Sequence, residues 1–254
     1  IKNKIFNVKD FQEINDYKTE LIEKGFKREL RDFQLRNLKI LSKKNIGAEF
    51  SVPGGGKTSV ALSYYALLKN NKSKLLVVCP KNAMLAWDED LPECFNNKIV
   101  NTMNYFGKEK FFRIHENKDI DINSDDFVDS NFFIITYTQL QKFESTITKF
   151  LIQNDVFLFL DESHRTKLGK EGEWGKSALK LKDFPTHKLI LSGTPITKEI
   201  NDLNAQAEFL YGYEMNEAVL VDEIDKIKVR TTKNELDIDP MESSKIYIDM
   251  SEEQ

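Results

Sequence analysis

Residues 51–58, which read Ser-Val-Pro-Gly-Gly-Gly-Lys-Thr, restrict the possible folds of this chain more than any other stretch. Residues 47–50 before them predict a short strand, and the apolar residues among 60–68 recur at helical spacing. A strand, a glycine-rich loop and a helix in this order form the context of a phosphate-binding loop. The alternative is a glycine-rich turn that only starts a helix, and Ser51 stands where the first glycine of the usual pattern would be.

The residue types in this loop indicate how a phosphate could be held. Successive glycines allow backbone N–H groups to turn inward around it, because a side chain would block the approach. The N-terminus of the following helix adds a partial positive charge. We expect Lys57 to reach the β- and γ-phosphates of ATP and the Thr58 hydroxyl to hold Mg²⁺. The residues of this loop predicted to contact ATP are Pro53, Gly54, Gly55, Gly56, Lys57, Thr58 and Ser59.

The overall composition narrows the class of protein. The 254 residues are 40% hydrophobic and 31% charged, as in ordinary globular proteins, and a net charge of −4 gives no bulk attraction for nucleic acid. Cys79 in an apolar run, and Cys94 in what we interpret as a polar loop, favour a reducing compartment over a disulfide framework.

The sequence has no signal-peptide pattern and no apolar run long enough to span a membrane. We therefore expect an intracellular protein, cytoplasmic or nucleoid-associated, with no membrane partner. Because the chain starts at Ile1 rather than Met, and ends within what looks like continuing structure, we interpret it as a piece of a longer protein.

Apolar strand candidates alternate with helical patterns along the rest of the chain. The predicted strands after the first cover residues 74–80, 99–103, 132–137, 156–160 and 188–191. The predicted helices cover residues 8–25, 30–41, 83–91, 140–151 and 200–210. Residues 104–131 are expected to form a surface excursion. This alternation predicts an α/β fold with a mostly parallel sheet and helices on both faces.

Two acidic residues follow the apolar strand 156–160, at the edge of the sheet where ligands bind in parallel folds. Asp161 is a candidate partner of Mg²⁺ through water, and Glu162 could orient and deprotonate an attacking water. Two adjacent carboxylates at the end of a buried strand repel each other unless they share a cation. We therefore favour a metal site over two solvated loop acids.

Other polar residues give weaker signals by themselves. His164 reads as a surface histidine, and Ser192-Gly193-Thr194-Pro195 reads as a turn, although both follow predicted strands. Gln34 could present its amide outward, and an amide suits the edge of adenine because it offers a donor and an acceptor. A lone Gln on a helix is usually solvated surface.

Taken in order, these clusters resemble the first RecA-like lobe of a superfamily 2 helicase or translocase, and they are most similar to its Swi/Snf branch. The resemblance covers roughly residues 28–254. The segments that carry it are Leu30–Gln34, similar to the adenine-reading glutamine motif; Val52–Thr58, similar to motif I; Val78–Lys81 with Trp87, similar to motif Ia; Ile135–Tyr137, similar to the next motif on the nucleic-acid side; Leu160–Lys167, similar to the DExH box and its basic extension; and Leu191–Ile196, similar to motif III.

The C-terminal segment resembles the place where Swi/Snf proteins cross into the second lobe. The residues that carry this likeness are Val229-Arg230-Thr231-Thr232-Lys233, Pro240 and residues 248–254. Some positions depart from the family pattern: Thr231 replaces a second arginine, Thr197-Lys198 replaces Gln-Asn, and Ser163 is an uncommon small residue in the box. These departures leave the nucleotide chemistry intact.

The resemblance implies a three-layer RecA-like P-loop NTPase domain at residues 28–213. It also implies an N-terminal helical extension at 1–27, and a linker with the start of a second lobe at 214–254. The implied roles are catalysis for Glu162 and Lys57; Mg²⁺ binding for Thr58 and Asp161; adenine contact for Gln34; coupling of hydrolysis to movement for His164, Ser192, Gly193 and Thr194; and contact with the nucleic-acid backbone for Lys81, Thr136 and Lys167. Each lysine, taken alone, would be read as plain surface.

The implied function is an ATP-driven motor on duplex DNA, with ATP and Mg²⁺ as cofactors and a second RecA-like lobe as partner. The chain has no motif like the arginine-bearing one of that lobe, and an arginine finger contributes on the order of 10³-fold or more. We therefore expect the chain alone to bind ATP weakly and to hydrolyse it poorly.

Other functions stay open. They are the motor of a restriction or defence complex, a nucleotide-gated scaffold that does not cycle, and an RNA helicase. The C-terminal segment and the DExH-type box disfavour the RNA helicase. The intact Lys57, Thr58, Asp161 and Glu162 disfavour the scaffold.

Overall fold

The computed structural model describes residues 8–95, 105–106, 109–113 and 125–236. Its strands are β1 Ile46–Glu49, β2 Lys74–Cys79, β3 Tyr105–Phe106, β4 Glu109–Arg113, β5 Phe132–Thr136, β6 Val156–Asp161, β7 His187–Leu191 and β8 Lys228–Val229. Its α-helices are α1 Val8–Glu23, α2 Asp32–Leu41, α3 Lys57–Leu68, α4 Met84–Phe95, α5 Asp125–Val128, α6 Tyr137–Lys142, α7 Glu144–Gln153, α8 Glu173–Lys180, α9 Asn204–Tyr211 and α10 Glu217–Asp225.

The strands form one sheet in the order β3-β4-β5-β2-β6-β7-β1-β8. β3 and β4 pair antiparallel, and the other neighbouring strands among the described residues pair parallel. Glu49 of β1 is in register with Leu191 of β7, which is in turn in register with Asp161 of β6. The loops that follow these three strands therefore leave the sheet side by side at its carboxyl edge.

Alternate residues of the central strands face two different layers of helices. Phe157 and Phe159 of β6 pack in the core beneath α1 to α4, whereas Leu158 and Leu160 pack beneath α5 to α10. Tyr65 of α3 meets Phe157 edge-on, with ring centroids 5.1 Å apart. Both faces of the sheet are covered, which confirms the predicted three-layer α/β architecture.

The prediction of a surface excursion over residues 104–131 is wrong. β4 extends the parallel sheet beside β5, with Phe111 in register with Phe132, and α5 follows at Asp125–Val128. The sequence of β4, Glu-Lys-Phe-Phe-Arg, has charges at both ends and so lacks the apolar run of a central strand. The predicted strand 99–103 lies outside the described residues.

Some predicted helices have different limits. Residues 140–151 belong to two helices, α6 and α7, which meet at Phe143, where φ is −107° and ψ is 20°. Cys94 does not lie in a polar loop, because α4 continues past Pro92 and buries Cys94 completely. Burial raises the pKa of the Cys94 thiol to about 12.

The C-terminal part of the described chain packs against the same sheet. β8 pairs with β1, and Leu220 and Ile224 of α10 lie in the second core layer. Neither element was predicted from the sequence. The domain limits at residues 27 and 213 stay predictions. Among the described residues, no helix is both long and apolar enough to cross a membrane.

Candidate functional site

The loop between β1 and α3 takes a path that depends on its glycines. Gly54 and Gly56 have φ values of +83° and +70°, which L side chains rarely adopt. A Cβ on Gly56 would lie 2.2 Å from Nε2 of Gln34, and a Cβ on Gly55 would lie 3.0 Å from the carbonyl oxygen of Val52. The half-exposed Lys57 directly follows and begins α3. A narrow backbone loop that opens onto a helix N-terminus fits a bound phosphate.

Gln34 contacts this loop directly. Its Oε1 accepts the backbone N–H of Arg31 at 2.9 Å, and its Nε2 donates to the carbonyl oxygen of Gly56 at 3.4 Å. The side chain is 8% exposed. The prediction that Gln34 presents its amide outward is therefore wrong, because the amide bridges the start of α2 and the loop. Its contact with adenine stays a prediction.

Arg28 links the loop helix to α4, a contact that the sequence did not reveal. Its guanidinium donates to Ser59 Oγ at 2.9 Å and to Asp90 Oδ1 at 2.5 Å, and it reaches Glu93 Oε2 at 2.6 Å. No motif marks Arg28, since its partners lie far away in sequence. The arginine fixes the hydroxyl of Ser59, which follows the predicted Mg²⁺ ligand Thr58.

Asp161 lies at the buried end of β6 and is held on several sides. Its Oδ2 accepts the indole N–H of Trp87 at 2.8 Å, and its Oδ1 accepts the backbone N–H of Glu162 at 2.9 Å. Burial raises the pKa of Asp161, the Trp87 hydrogen bond lowers it, the Glu162 charge raises it, and the charge of Lys57 lowers it. The charge of Lys57 therefore favours the ionised form of this carboxyl group.

Trp87, part of the stretch that resembles motif Ia, is completely buried and contacts Asp161. Among the described residues, no cluster of three or more His, Cys, Asp and Glu side chains could hold a metal by itself. Mg²⁺ binding by the Thr58 hydroxyl and the Asp161 carboxylate stays a prediction; two protein ligands suit this ion because it keeps water and phosphate oxygens as its other ligands.

Glu162 has a strained backbone. Its φ of +50° makes it the single described residue other than glycine with a positive φ. This conformation turns the chain sharply after β6, and Oε2 of Glu162 comes to lie 3.3 Å from Nδ1 of His164. The Glu162 side chain remains about one-third exposed, at 36%. A carboxylate held in this way can accept a proton from a water molecule at the mouth of the site.

His164 joins the acidic pair to the loop after β7. Its Nδ1 lies 3.0 Å from Ser192 Oγ, which accepts the backbone N–H of Thr194 at 3.1 Å. Gly193 completes the contact, because a Cβ there would lie 3.1 Å from Pro53 Cδ of the phosphate loop. The residues predicted to couple hydrolysis to movement therefore lie together, against both the acids and the phosphate loop.

Gln206 forms a second bridge between the same loops, which the sequence did not indicate. Its Oε1 accepts the Ser163 hydroxyl at 2.7 Å, and its Nε2 donates to the carbonyl oxygen of Pro195 at 2.9 Å. The small Ser163, noted as uncommon in the box, is thus a hydrogen-bond donor to α9. Gln206 is 1% exposed, so nothing in its helical pattern marks it as a site residue.

The residues predicted to contact nucleic acid lie in different environments. Lys81 is exposed after β2, and Thr136 ends the neighbouring β5. Thr136 is buried, and its hydroxyl oxygen accepts the N–H of Gln139 at 3.2 Å. Lys167 donates to the Thr197 hydroxyl and lies 3.9 Å from Asp202. The contacts of all three with nucleic acid stay predictions.

The fold and the site define a RecA-like domain of the P-loop NTPase class. The model of the SNF2-related domain family matches residues 50–218, more than half of the chain. The chain belongs to the SNF2-related domain family, and the predicted resemblance to the Swi/Snf branch is confirmed. No curated protein sequence matches the chain.

Several solved structures share the fold. The Sulfolobus solfataricus SWI2/SNF2 ATPase core in complex with double-stranded DNA is 21% identical, with a TM-score of 0.62 over 82% of this chain. The Sulfolobus solfataricus SWI2/SNF2 ATPase core domain is 18% identical, with a TM-score of 0.61 over 84% of this chain. The Pyrococcus furiosus Hef helicase domain is 16% identical, with a TM-score of 0.57 over 82%. This chain spans 46%, 46% and 39% of those chains, respectively.

Proposed function

We propose that this chain is the ATP-binding lobe of an ATP-driven motor that moves along duplex DNA. The observation that carries the proposal is the meeting of three loops at one edge of the sheet. The phosphate loop follows β1, Asp161 ends β6 with Glu162 directly after it, and Ser192 to Thr194 follow β7. The strand register places these three strand ends at the same level. Nucleotide hydrolysis needs a phosphate cradle and a water-activating carboxylate within reach of each other.

In the proposed site, Lys57 and the backbone of Gly54 to Thr58 bind the triphosphate. Thr58 and Asp161 would hold Mg²⁺, which would supply positive charge to neutralise the phosphates. Glu162 orients the attacking water and takes its proton. His164 and Ser192 lie 3.0 Å apart. Through this contact, a change in the protonation or position of the Glu162 carboxylate would reach the loop after β7.

The adenine end is proposed to lie near Gln34 and Arg28. Gln34 contacts Gly56, and Arg28 contacts Ser59, so both residues flank the loop on the side of α2. An apolar cavity of about 240 Å³ opens beside Arg28, with Phe26, Leu30 and Leu35 in its lining. An apolar wall of this kind could cover one face of a base.

Duplex DNA is proposed as the track. Support comes from the family, from the DNA-bound state of the Sulfolobus solfataricus relative, and from Lys81 and Thr136, which leave adjacent strands at the carboxyl edge. Lys167 is the third proposed contact. These residues would meet the phosphate backbone, so binding should be independent of sequence and sensitive to salt.

We propose that residues 28–213 form the ATP-binding domain and that the later residues, which first add α10 and β8 to its sheet and core, lead to a second lobe. That lobe would supply the arginines that complete the site, so the chain alone should hydrolyse ATP slowly even with DNA present. Robust DNA-stimulated turnover by the 254 residues alone would contradict this part of the proposal.

The experiment that tests the function is ATP hydrolysis by the full-length protein with duplex DNA, single-stranded DNA and RNA compared at one salt concentration. Duplex DNA should stimulate most. Glu162→Gln should still bind ATP but lose roughly 100-fold or more in turnover. Hydrolysis by Glu162→Gln at the wild-type rate, or stimulation by RNA alone, would overturn the proposal.

A further inference from the structure

Ser51, the first residue of the phosphate loop, is completely buried, and its polar groups form hydrogen bonds with three parts of the chain. Its backbone N–H donates to Glu49 Oε1 at 3.0 Å, and its carbonyl oxygen accepts from Lys57 Nζ at 3.3 Å. Its hydroxyl oxygen accepts the backbone N–H of Thr231 at 2.8 Å, across 180 residues of sequence. Ser51 therefore joins the phosphate-binding lysine to the segment that follows β8.

Asn37 completes the network from α2. Its amide nitrogen lies 3.2 Å from Glu49 Oε2, from Ser51 Oγ and from Thr231 Oγ1. Glu49, Ser51 and Thr231 are 0% exposed, and Asn37 is 1% exposed. Buried polar groups are costly unless all of them are paired, so a movement of one member disturbs the others.

Arg36 carries the network further along the C-terminal segment. Its guanidinium donates to the carbonyl oxygen of Arg230 at 3.1 Å and to Thr231 Oγ1 at 3.3 Å, and it pairs with Glu235. The segment 230–236 is thus held to the phosphate loop and α2 through side chains as well as through the pairing of β8. The segment includes residues 230–233, which belong to the stretch that resembles the crossing into the second lobe.

Ser51 departs from the usual phosphate-loop pattern and Thr231 from the family pattern, and in the fold the two residues contact each other directly. Resting on the proposed nucleotide binding, we infer that Glu49, Asn37, Ser51 and Thr231 form a relay between the phosphate loop and the C-terminal segment. Ser51 and Thr231 are its central positioning residues.

The relay would work because two acceptors compete for the ammonium group of Lys57. Lys57 Nζ donates to the carbonyl oxygen of Ser51, and a bound β- or γ-phosphate competes for the same donor. When Lys57 turns to the phosphate, the Ser51 peptide loses this donor, and its contacts with Glu49 and Thr231 readjust. Nucleotide binding then changes how firmly residues 230–236 are held.

The test is residue-resolved amide hydrogen exchange of the 254-residue chain, with and without Mg²⁺ and a non-hydrolysable ATP analogue. In the wild type, the analogue should change the exchange rate of the Thr231 amide by roughly three- to tenfold, the range of one hydrogen bond. Ser51→Ala, which removes the acceptor of this amide, should speed its exchange without nucleotide and abolish the response to nucleotide.

The matched control is Thr232→Val. Thr232 is the exposed neighbour of Thr231 and bonds only to Glu235 among the contacts described, so this variant should keep the wild-type response at residue 231. If Ser51→Ala does not fold, Thr231→Val removes the hydroxyl that accepts from Asn37 and Arg36. Thr231→Val should reduce the nucleotide-dependent change in the exchange rate at residue 231, and Thr231→Ser should restore this change.

The outcomes separate the relay from the proposed function. If the analogue binds in a Lys57-dependent way and the Thr231 amide exchanges at the same rate with and without it, the relay is overturned and nucleotide binding stands. If no analogue binds to the folded wild type, both the proposed function and the relay are overturned.

Discussion

The indole N–H of Trp87 donates a 2.8 Å hydrogen bond to Oδ2 of Asp161. Trp87 is completely buried and Asp161 is 8% exposed, so the contact lies at the inner end of the candidate site. The hydrogen bond lowers the pKa of the Asp161 carboxyl group, which burial raises, and it fixes the position of Oδ2. We therefore expect α4 to contribute to nucleotide binding without touching the nucleotide.

Trp87→Phe should weaken the binding of the Mg²⁺-nucleotide complex about tenfold, because it removes a hydrogen bond to a charged group. Calorimetric titration with ADP and Mg²⁺ measures this loss. The control is Trp174→Phe, in which the half-buried ring stacked 5.6 Å from Tyr137 loses no contact with Asp161. Equal nucleotide affinities for the two variants would contradict a contribution of Trp87 to nucleotide binding.

Gly56→Ala should abolish nucleotide binding. The new methyl group would lie 2.2 Å from Nε2 of Gln34, at a φ of +70° that disfavours alanine. Gly25→Ala is the matched control, since Gly25 has a φ of +87° and open space around it. That control should lose about 1 kcal/mol of stability and keep nucleotide affinity. Binding by folded Gly56→Ala at the wild-type level would contradict the loop geometry.

Lys81→Ala in the full-length protein should weaken DNA binding equally for all sequences. It should also reduce the slope of log affinity against log salt by about 1. Lys72→Ala, at the amino end of the same strand and also exposed, should leave the slope unchanged. Titration of labelled duplex at several salt concentrations measures both slopes. The same slope in the Lys81 variant and the wild type would exclude this contact.

The stability of the chain should depend on the charge of Glu49. Burial raises its pKa from 4.5 to about 7, while hydrogen bonds from Ser51 and Asn37 and the charge of Lys57 lower it. Because the folded pKa lies above the unfolded one, the carboxyl group stabilises the fold fully below about pH 4.5 and loses this contribution as the pH rises through about 7.

Glu49→Gln cannot ionise, so its free energy of unfolding should not share this dependence. Between about pH 5 and about pH 8, the wild type should lose up to a few kcal/mol relative to the variant. Urea unfolding at the two pH values measures the difference. Glu20→Gln, on the exposed face of α1, should track the wild type. A constant difference between wild type and Glu49→Gln would contradict an ionising carboxyl group at this position.

The sequence predicted the central strands and the residues at their carboxyl ends, because buried parallel strands are continuous apolar runs that end in polar residues. Val156 to Leu160 followed by Asp161 is the clearest case. It did not predict β4 or β8, since a short strand with charged residues at both ends and a two-residue strand have no such run. These two segments become strands because they form hydrogen bonds with β5 and β1, respectively.

The contacts that orient the side chains of the site could not be predicted from the sequence either. Trp87 meets Asp161 over 74 residues, and Ser51 meets Thr231 over 180 residues. Local spacing says nothing about such pairs, which form only when the sheet brings distant loops together. Gln34 shows the same limit: its helix was predicted, but the direction of its amide depends on Gly56.

The most direct test of the central claim is calorimetric titration of this chain with ADP and Mg²⁺, comparing the wild type, Lys57→Ala and Lys69→Ala. Lys57 begins α3, and Lys69 follows its last turn, so the two variants remove the same charge at opposite ends of one helix. We predict that Lys57→Ala loses at least tenfold in affinity, about 1.4 kcal/mol or more, and that Lys69→Ala binds like the wild type. Undiminished binding by folded Lys57→Ala would contradict the assignment of the loop as the phosphate site.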